Sequence, residues 1–154
     1  MRKLLIGLAA VFSAPSASAS DTEAAYGVVK QFIDGFNSGE VDKALAACAP
    51  VAHIIDEFPP FAWSGEGACA IWANDYVADA SKKGLTDGVV TLHPAKHIFI
   101  EGDKAYVVAP TDYVYKLNGK PAGQSGATLT AALARIDGAW RITQWSWAQG
   151  APNK

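Results

Sequence analysis

Apolar residues recur at helical spacing in the first half of the chain and fall into strand-like runs in the second. Ala25, Val28, Val29, Phe32, Ile33 and Phe36 form one stripe at intervals of three and four, which predicts a helix. Ser20 followed by Glu23 fits a capping box at its start, and Asn37-Ser38-Gly39 supplies its stop. A short second helix is expected from about Val41 to Ala47, with Leu45 and Cys48 on its inner face. Then comes an apolar run, His53-Ile54-Ile55, read as a short strand ending in Asp56. A third helix is expected from about Glu66 to Lys83, with Cys69, Trp72, Ala73, Tyr76, Val77 and Ala80 on its buried stripe. Glu66 near its start and Lys82 and Lys83 near its end complement the helix dipole, and Gly84 is a natural stop.

Beyond Gly84 the period shortens to two. Glu101-Gly102-Asp103, Asn118-Gly119 and Asp137-Gly138 are turn signals that separate four strand-like runs. The runs are approximately Val89–Ile100, Ala105–Leu117, Gly126–Ile136 and Trp140–Ala148, expected to form an antiparallel meander. Pro94 and Pro110 fall inside the first two. Proline cannot donate to the ladder, so these positions indicate bulges or edges and a strongly bent sheet. Helices followed by a bent antiparallel sheet make an α+β plan, with three helices laid across one concave face to enclose a conical pocket. Ala151 to Lys154 reads as a loose tail.

The first nineteen residues stand apart from this plan. Arg2 and Lys3 precede the apolar stretch Leu4 to Phe12, which is too short to span a bilayer. Ala17-Ser18-Ala19 matches a small-residue cleavage pattern, so residues 1–19 read as a signal peptide cut after Ala19. The expected mature protein is periplasmic or secreted, a single domain over residues 20–150, with no membrane association after cleavage. Removing Arg2 and Lys3 leaves 13 − 2 = 11 basic residues against 15 acidic ones, a formal net charge of −4. No basic stripe is present, which argues against a nucleic-acid partner. The two cysteines, Cys48 and Cys69, admit two readings in an exported protein, a disulfide or two buried thiols.

Asp56 is the candidate with the clearest chemistry. A strand delivers it into Glu57-Phe58-Pro59-Pro60-Phe61-Ala62-Trp63, a proline-rich and aromatic stretch. Burial raises a carboxyl pKa and turns the group into a proton acceptor useful near neutrality. The competing reading is a turn aspartate that accepts backbone N–H groups. Asp56 shares strand parity with Ala52 and Ile54, whereas Glu57 has the opposite parity and reads as solvated or paired. Trp63, Trp72, Tyr76 and Tyr113 (with Tyr115) could line a cavity or simply pack the core. A buried Tyr76 hydroxyl would need a partner, and Asp56 is one candidate. Thr111 and Asp112 read as a second polar patch or a solvated strand. His53, His93 and His97 show no spacing that completes a metal site and read as surface or pocket-rim residues. No phosphate loop and no nucleophile motif is present, and no metal or organic cofactor is implied.

Four stretches carry a family resemblance. They are Phe36-Asn37-Ser38-Gly39-Glu40-Val41-Asp42-Lys43-Ala44-Leu45, the run from Ala52 to Gly65, the aromatic helix after Gly65, and Gly138-Ala139-Trp140-Arg141-Ile142-Thr143-Gln144-Trp145-Ser146-Trp147. In this order they resemble the nuclear transport factor 2-like superfamily, which includes ketosteroid isomerases and SnoaL-like cyclases. The resemblance implies the cystatin-like cone and places Asp56 on the isomerase's general-base aspartate. That enzyme also needs a tyrosine on the first helix and a protonated aspartic acid on a later strand. Here those positions fall on Phe32 and Ala132. Losing one oxyanion donor costs about a hundred- to a thousandfold in rate, which argues against steroid isomerisation by that donor pair, while a base could still abstract an acidic proton if other donors replaced it. The SnoaL-like pattern of polar, often histidine-rich residues on the last strand is met only by Gln144 and Ser146. Parity groups Ile142 with these two and leaves Trp145 and Trp147 on the other face, which suits a homodimer interface. The expected function is an apolar small-molecule pocket protein, a cofactor-independent isomerase, cyclase or lyase with Asp56 as base. The alternative is a non-catalytic binding or dimerisation module.

Overall fold

The computed structural model describes residues 19–153 of the 154-residue chain, so the signal peptide reading falls outside the described residues except for Ala19. Helix α1 spans Ala19–Ser38, so Ser20 lies inside its first turn rather than capping it. Val29, Phe32 and Ile33 of the predicted stripe are buried. Helix α2, Val41–Leu45, is shorter than expected and packs tightly on α1. The contact is possible because Gly35 has no side chain: a Cβ there would lie 2.5 Å from the Ala44 backbone nitrogen. Strands β1 (Cys48–Ile55) and β2 (Ala62–Glu66) form a hairpin, and helix α3 follows over Ala68–Lys83. Glu66 therefore ends a strand, and Gly67 opens the helix with positive φ. Gly84 caps α3 in the left-handed conformation, as predicted.

The rest of the chain is β3 (Leu85–Leu92), β4 (His97–Glu101), β5 (Lys104–Leu117), β6 (Lys120–Ile136), β7 (Ala139–Ala148) and β8 (Ala151–Pro152). The run expected as one strand over Val89–Ile100 is broken between β3 and β4. Both pieces pair with β5, and the gap falls opposite Pro110, which has no N–H to offer a neighbour. Strand β6 begins at Lys120 rather than Gly126, because Tyr113–Leu117 supply its partners. The two-residue turns at Asn118-Gly119 and Asp137-Gly138 have positive φ at both positions, the geometry their sequence demands. Of the residues expected as a loose tail, Ala151 and Pro152 form a strand paired with β6. Ala151 and Pro152 lie beside Ser125 and Gln124.

The sheet order is β2-β1-β7-β6-β5-β3. Strands β3 to β7 form the expected antiparallel meander, and the sheet as a whole is mixed because β1 runs parallel to β7. The helices cover its concave face, which is the expected α+β cone. Irregularities in four of the pairings bend it, one of them between Cys48 and His53 where β1 meets β7. Asp87-Gly88 bulges out of the β3–β5 pairing, Ser125-Gly126 bulges opposite Asp112, and Thr143 is an extra residue between Leu133↔Ile142 and Ala132↔Gln144. The Thr143 bulge reverses side-chain parity. Ile142 and Trp145 both face the core, and Gln144 is left on the convex side. The predicted grouping of Ile142 with Gln144 is therefore wrong, and Trp145 and Trp147 are not an exposed interface.

Cys48 begins β1 instead of facing inward from α2, since Ala47 already accepts from the Ile142 N–H at 2.9 Å. It is bonded to Cys69 in the first turn of α3, with the Cα atoms 6.6 Å apart. This link closes a loop across a sequence separation of 21 residues. Reduction, or the paired Cys48→Ala and Cys69→Ala substitutions, is expected to lower unfolding stability by about 3 kcal/mol. Urea unfolding with and without dithiothreitol checks this; coincident curves would refute it.

Candidate active site

Asp56 stands one residue past the end of β1, where the chain turns back toward β2. Its N–H donates to the Phe61 carbonyl at 3.1 Å, and the Phe61 N–H donates to the Phe58 carbonyl at 2.8 Å. These bonds hold the turn, and the Pro59-Pro60 bond within it is cis. The strand parity read from the sequence is correct: Ala52 and Ile54 are buried and Asp56 points the same way, toward the helices. One carboxylate oxygen accepts the Glu57 N–H at 2.7 Å and the other accepts Trp72 Nε1–H at 2.8 Å. Trp72 is three residues beyond Cys69 on α3, so it shares that helix face. Helix α3 is thus fastened to β1 by a disulfide at the strand's start and by a hydrogen bond at its end.

A cavity of about 70 Å³ opens beside the carboxylate. Phe32, Ile33 and Phe36 of α1 wall one side, Trp72 and Tyr76 of α3 another, and Val90, Tyr113, Leu129, Trp145 and Trp147 form the sheet floor. The rings pack edge and face: Trp72 meets Trp145 at 4.8 Å and a right angle, and Tyr76 meets Phe36 at 5.0 Å. A larger apolar groove between α1, α2 and α3 shares Phe32, Phe36, Trp72 and Tyr76 with the cavity.

This apolar enclosure sets the electrostatics. Burial pushes the Asp56 carboxyl up to about 6, overcoming the two hydrogen bonds that favour its charged form. Glu57 also lines the cavity, and burial raises its pKa as well. Its side chain accepts Gln124 Nε2–H at 2.6 Å, and the Gln124 carbonyl oxygen accepts the Gly150 N–H at 2.6 Å. Glu57 is thus paired, but it sits at the site rather than away from it.

Of the predicted lining, Phe32, Trp72, Tyr76 and Tyr113 meet around Asp56. Trp63, Ala132 and Gln144 do not. The Trp63 ring is buried against Phe58 at 5.0 Å and its Nε1–H donates to Asp75 at 2.8 Å. Ala132 and Gln144 line a shallow groove on the convex face. The position matched to an isomerase acid therefore points outward, and its inward neighbours Leu129 and Ala131 are apolar too. Tyr76 does not bond Asp56; its hydroxyl lies 2.5 Å from that of Tyr113. Thr111 is fully buried, and Asp112 is paired with His93 at 2.7 Å and with the Gly126 N–H, so they are neither a joint patch nor a solvated strand. His97 is exposed on β4 and stacks on Phe99, away from His93, which lies in the β3–β4 break. Among the described residues, no group of three His, Cys, Asp or Glu side chains could hold a metal, and no helix is long and apolar enough to cross a membrane.

Contributors not read from the sequence include Glu57, Phe58, Gly88, Val90, Leu129 and the inward turn of Trp145 and Trp147. A Cβ at Gly88 would lie 2.5 Å from the Tyr113 hydroxyl and 3.1 Å from that of Tyr76. The available signal was Asp87-Gly88 beside a strand-like run, a pattern that marks a bulge or a close approach. The Thr143 bulge has no such mark.

A helix-covered, curled sheet with a carboxylate in an aromatic pocket defines a cone-fold pocket protein of the nuclear transport factor 2-like class. Residues 27–149 match the SnoaL-like domain, and the chain belongs to that family. Among solved structures it is similar to hexachlorocyclohexane dehydrochlorinase LinA-type3 from Novosphingobium barchaimii LL02, at 13% identity and a TM-score of 0.74, covering 87% of this chain and 89% of that one. It is also similar to an NTF2-like protein of unknown function from Pseudomonas putida KT2440, at 13% identity and a TM-score of 0.66, covering 86% and 89%. A third similar structure is an NTF2-like protein with a cystatin-like fold from Novosphingobium aromaticivorans, at 15% identity and a TM-score of 0.67, covering 84% and 82%. At such identities the likeness concerns the fold. No curated protein sequence matches the chain.

The raised Asp56 pKa makes a stability prediction with a definite sign. The folded protein holds this proton more tightly than the unfolded chain, whose carboxyl titrates near pH 4. The stabilisation is complete below about pH 4 and is lost as pH rises through about 6. Asp56→Asn lacks this loss, so its stability relative to wild type is expected to rise by up to about 3 kcal/mol between pH 4 and pH 7. Urea titrations across that range test it; a pH-independent difference would remove the buried carboxyl from the account.

Proposed function

We propose that this protein is a cofactor-independent proton-transfer enzyme, of isomerase, cyclase or lyase type, that acts on an apolar and preferably cyclic small molecule with Asp56 as its base. The observation that carries this reading is the carboxylate itself, ionised at neutral pH yet raised by burial to about 6, facing a cavity otherwise walled by aromatic and aliphatic groups. A base of that strength can take a carbon-bound proton made acidic by a neighbouring group. The electron pair left behind forms a new double bond, either shifting an existing unsaturation or expelling a leaving group. The similarity to a dehydrochlorinase supports the second outcome, because removing hydrogen chloride is a proton abstraction coupled to chloride departure.

The chain is proposed to act after export. The signal-like segment supports a periplasmic or secreted location, and the Cys48–Cys69 disulfide suits an oxidising compartment. We assign a homodimer to the convex sheet face, where Val51, Ile55, Phe99 and Tyr106 are 46–62% exposed, and not to the inward-turned tryptophans. Native mass spectrometry of the full-length gene product expressed in a Gram-negative host should find a mature chain starting at Ser20 with twice the monomer mass, and Tyr106→Glu should halve it. An uncleaved chain, or a monomer throughout, would overturn the respective assignment.

Catalysis is tested by incubating the protein in deuterium oxide with cyclic ketones and with chlorinated cyclohexanes, following deuterium uptake and chloride release. Wild type is expected to accelerate one of these, and Asp56→Asn to lose about a hundred- to ten-thousandfold of the rate. A panel on which both proteins bind equally and neither reacts would establish the alternative, a non-catalytic binding module.

A further inference from the structure

The cavity holds two carboxyl groups and no cation. Among the described residues, Asp56 and Glu57 are the only charged groups that line it, and neither forms an ion pair. Lys83 is the cation whose charge reaches Glu57, but its ammonium is held by Asp79 at 2.7 Å and its side chain is half exposed. Burying carboxylates without a counter-charge is unfavourable, and burial raises the pKa of both groups. The charge of Glu57 also disfavours that of Asp56.

Neutral donors hold the two carboxylates in place without cancelling their charge. Asp56 accepts the Glu57 N–H and Trp72 Nε1–H, and Glu57 accepts Gln124 Nε2–H. Gln124 is itself only 4% exposed and is fixed by the Gly150 N–H. Two carboxylates offer about eight lone-pair positions, so three bonds leave most of them unused. The second Glu57 oxygen has no hydrogen-bond partner among the described residues. The rest of the surface suits a positive charge. Eight of the thirteen lining residues are aromatic, and ring faces attract cations. The indole nitrogens of Trp145 and Trp147 are shut off from the cavity space, so an occupant meets their rings rather than their N–H groups. Glu57, Phe58, Tyr76 and Tyr113 also border a neighbouring cleft of about 250 Å³, which the last turn of α3 lines with Ala80 and Lys83. A helix C-terminus is the negative end of its dipole.

We infer that the ligand is a cationic amine, with an alkylated ammonium head seated against the Asp56 and Glu57 carboxylates and the rings of Phe58, Tyr76 and Tyr113, and an apolar body behind it. The inference rests on the proposed function in taking this cavity as the ligand site, and it adds a charge to the apolar molecule assigned there. The head supplies the counter-charge that the protein lacks. Alkyl groups on its nitrogen fit because the walls around the carboxylates are apolar, so they pack on the rings while the charge meets the carboxylates. A purely apolar pocket would instead favour a hydrocarbon of the same shape, since a cation gives up its hydration on entry.

Benzyltrimethylammonium and its uncharged isostere neopentylbenzene, in which carbon replaces nitrogen, test this by titration of the tryptophan fluorescence at neutral pH. Wild type is expected to bind the cation about ten- to a hundredfold more tightly than the hydrocarbon. Glu57→Gln and Asp56→Asn should each cut that preference by at least about threefold, with neopentylbenzene affinity changed less than about twofold. Glu101→Gln, which removes an exposed acid on β4, should keep the wild-type preference. Equal binding of the two compounds by wild type, or a preference that survives both carboxamide variants, would overturn the inference. So would a Glu101→Gln variant that weakens the preference as much as Glu57→Gln, because the acidic surface as a whole would then attract the cation. If the carboxamide variants lose both compounds alike, the carboxylates only shape the cavity and the inference fails. Deuterium uptake by a cyclic ketone with no preference for the cation sinks this inference and leaves the proposed function standing. The preference without turnover of any compound does the reverse.

Discussion

The curl of the sheet is the constraint on which the pocket depends. A flat sheet could not close around a cavity with only three helices on one face. The bending is done by single extra residues in the ladder, and each one also positions something at the site. Asp87-Gly88 brings backbone against the Tyr76–Tyr113 hydroxyls, and Thr143 turns Trp145 and Trp147 into the cavity floor. Ser125-Gly126 leaves the Gly126 N–H to Asp112 and sets β6 to receive β8. The same distortions that shape the fold therefore select which side chains face the cavity.

Helix α3 transmits this shape to the carboxylate. The disulfide ties its first turn to the start of β1, and one turn later Trp72 donates to Asp56 at the strand's end. Further along, Tyr76 reaches Tyr113 on β5. One helix face thus sets the place of the Asp56 carboxylate and of the hydroxyl pair together. The aromatic shell that provides the apolar packing also removes water from Asp56, and this desolvation raises its pKa above that of an exposed carboxyl. Stability and reactivity are opposed at this one residue: burying the carboxylate costs folding free energy at neutral pH and makes it a better proton acceptor.

The sequence by itself determined the helices, the β-turns and the position of Asp56, because each is a local matter. The α1 stripe, Gly84 as a cap, the Asn118-Gly119 and Asp137-Gly138 turns, and the parity of Ala52, Ile54 and Asp56 all follow from spacing or backbone freedom within a few residues. Four of the proposed pocket residues, Phe32, Trp72, Tyr76 and Tyr113, were legible for the same reason. Only the tertiary structure decided the rest. The parallel pairing of β1 with β7, the break opposite Pro110 and the capture of β8 are long-range pairings with no local mark. The Thr143 bulge shifts parity by one residue and so places Trp145 inside and Gln144 and Ala132 outside, against a strict alternation of two. The Tyr76–Tyr113 contact joins residues 37 positions apart. A pairing of that kind exists only in three dimensions, so the sequence could name Asp56 and its aromatic company, and the fold alone brought two tyrosine hydroxyls together beside the same cavity.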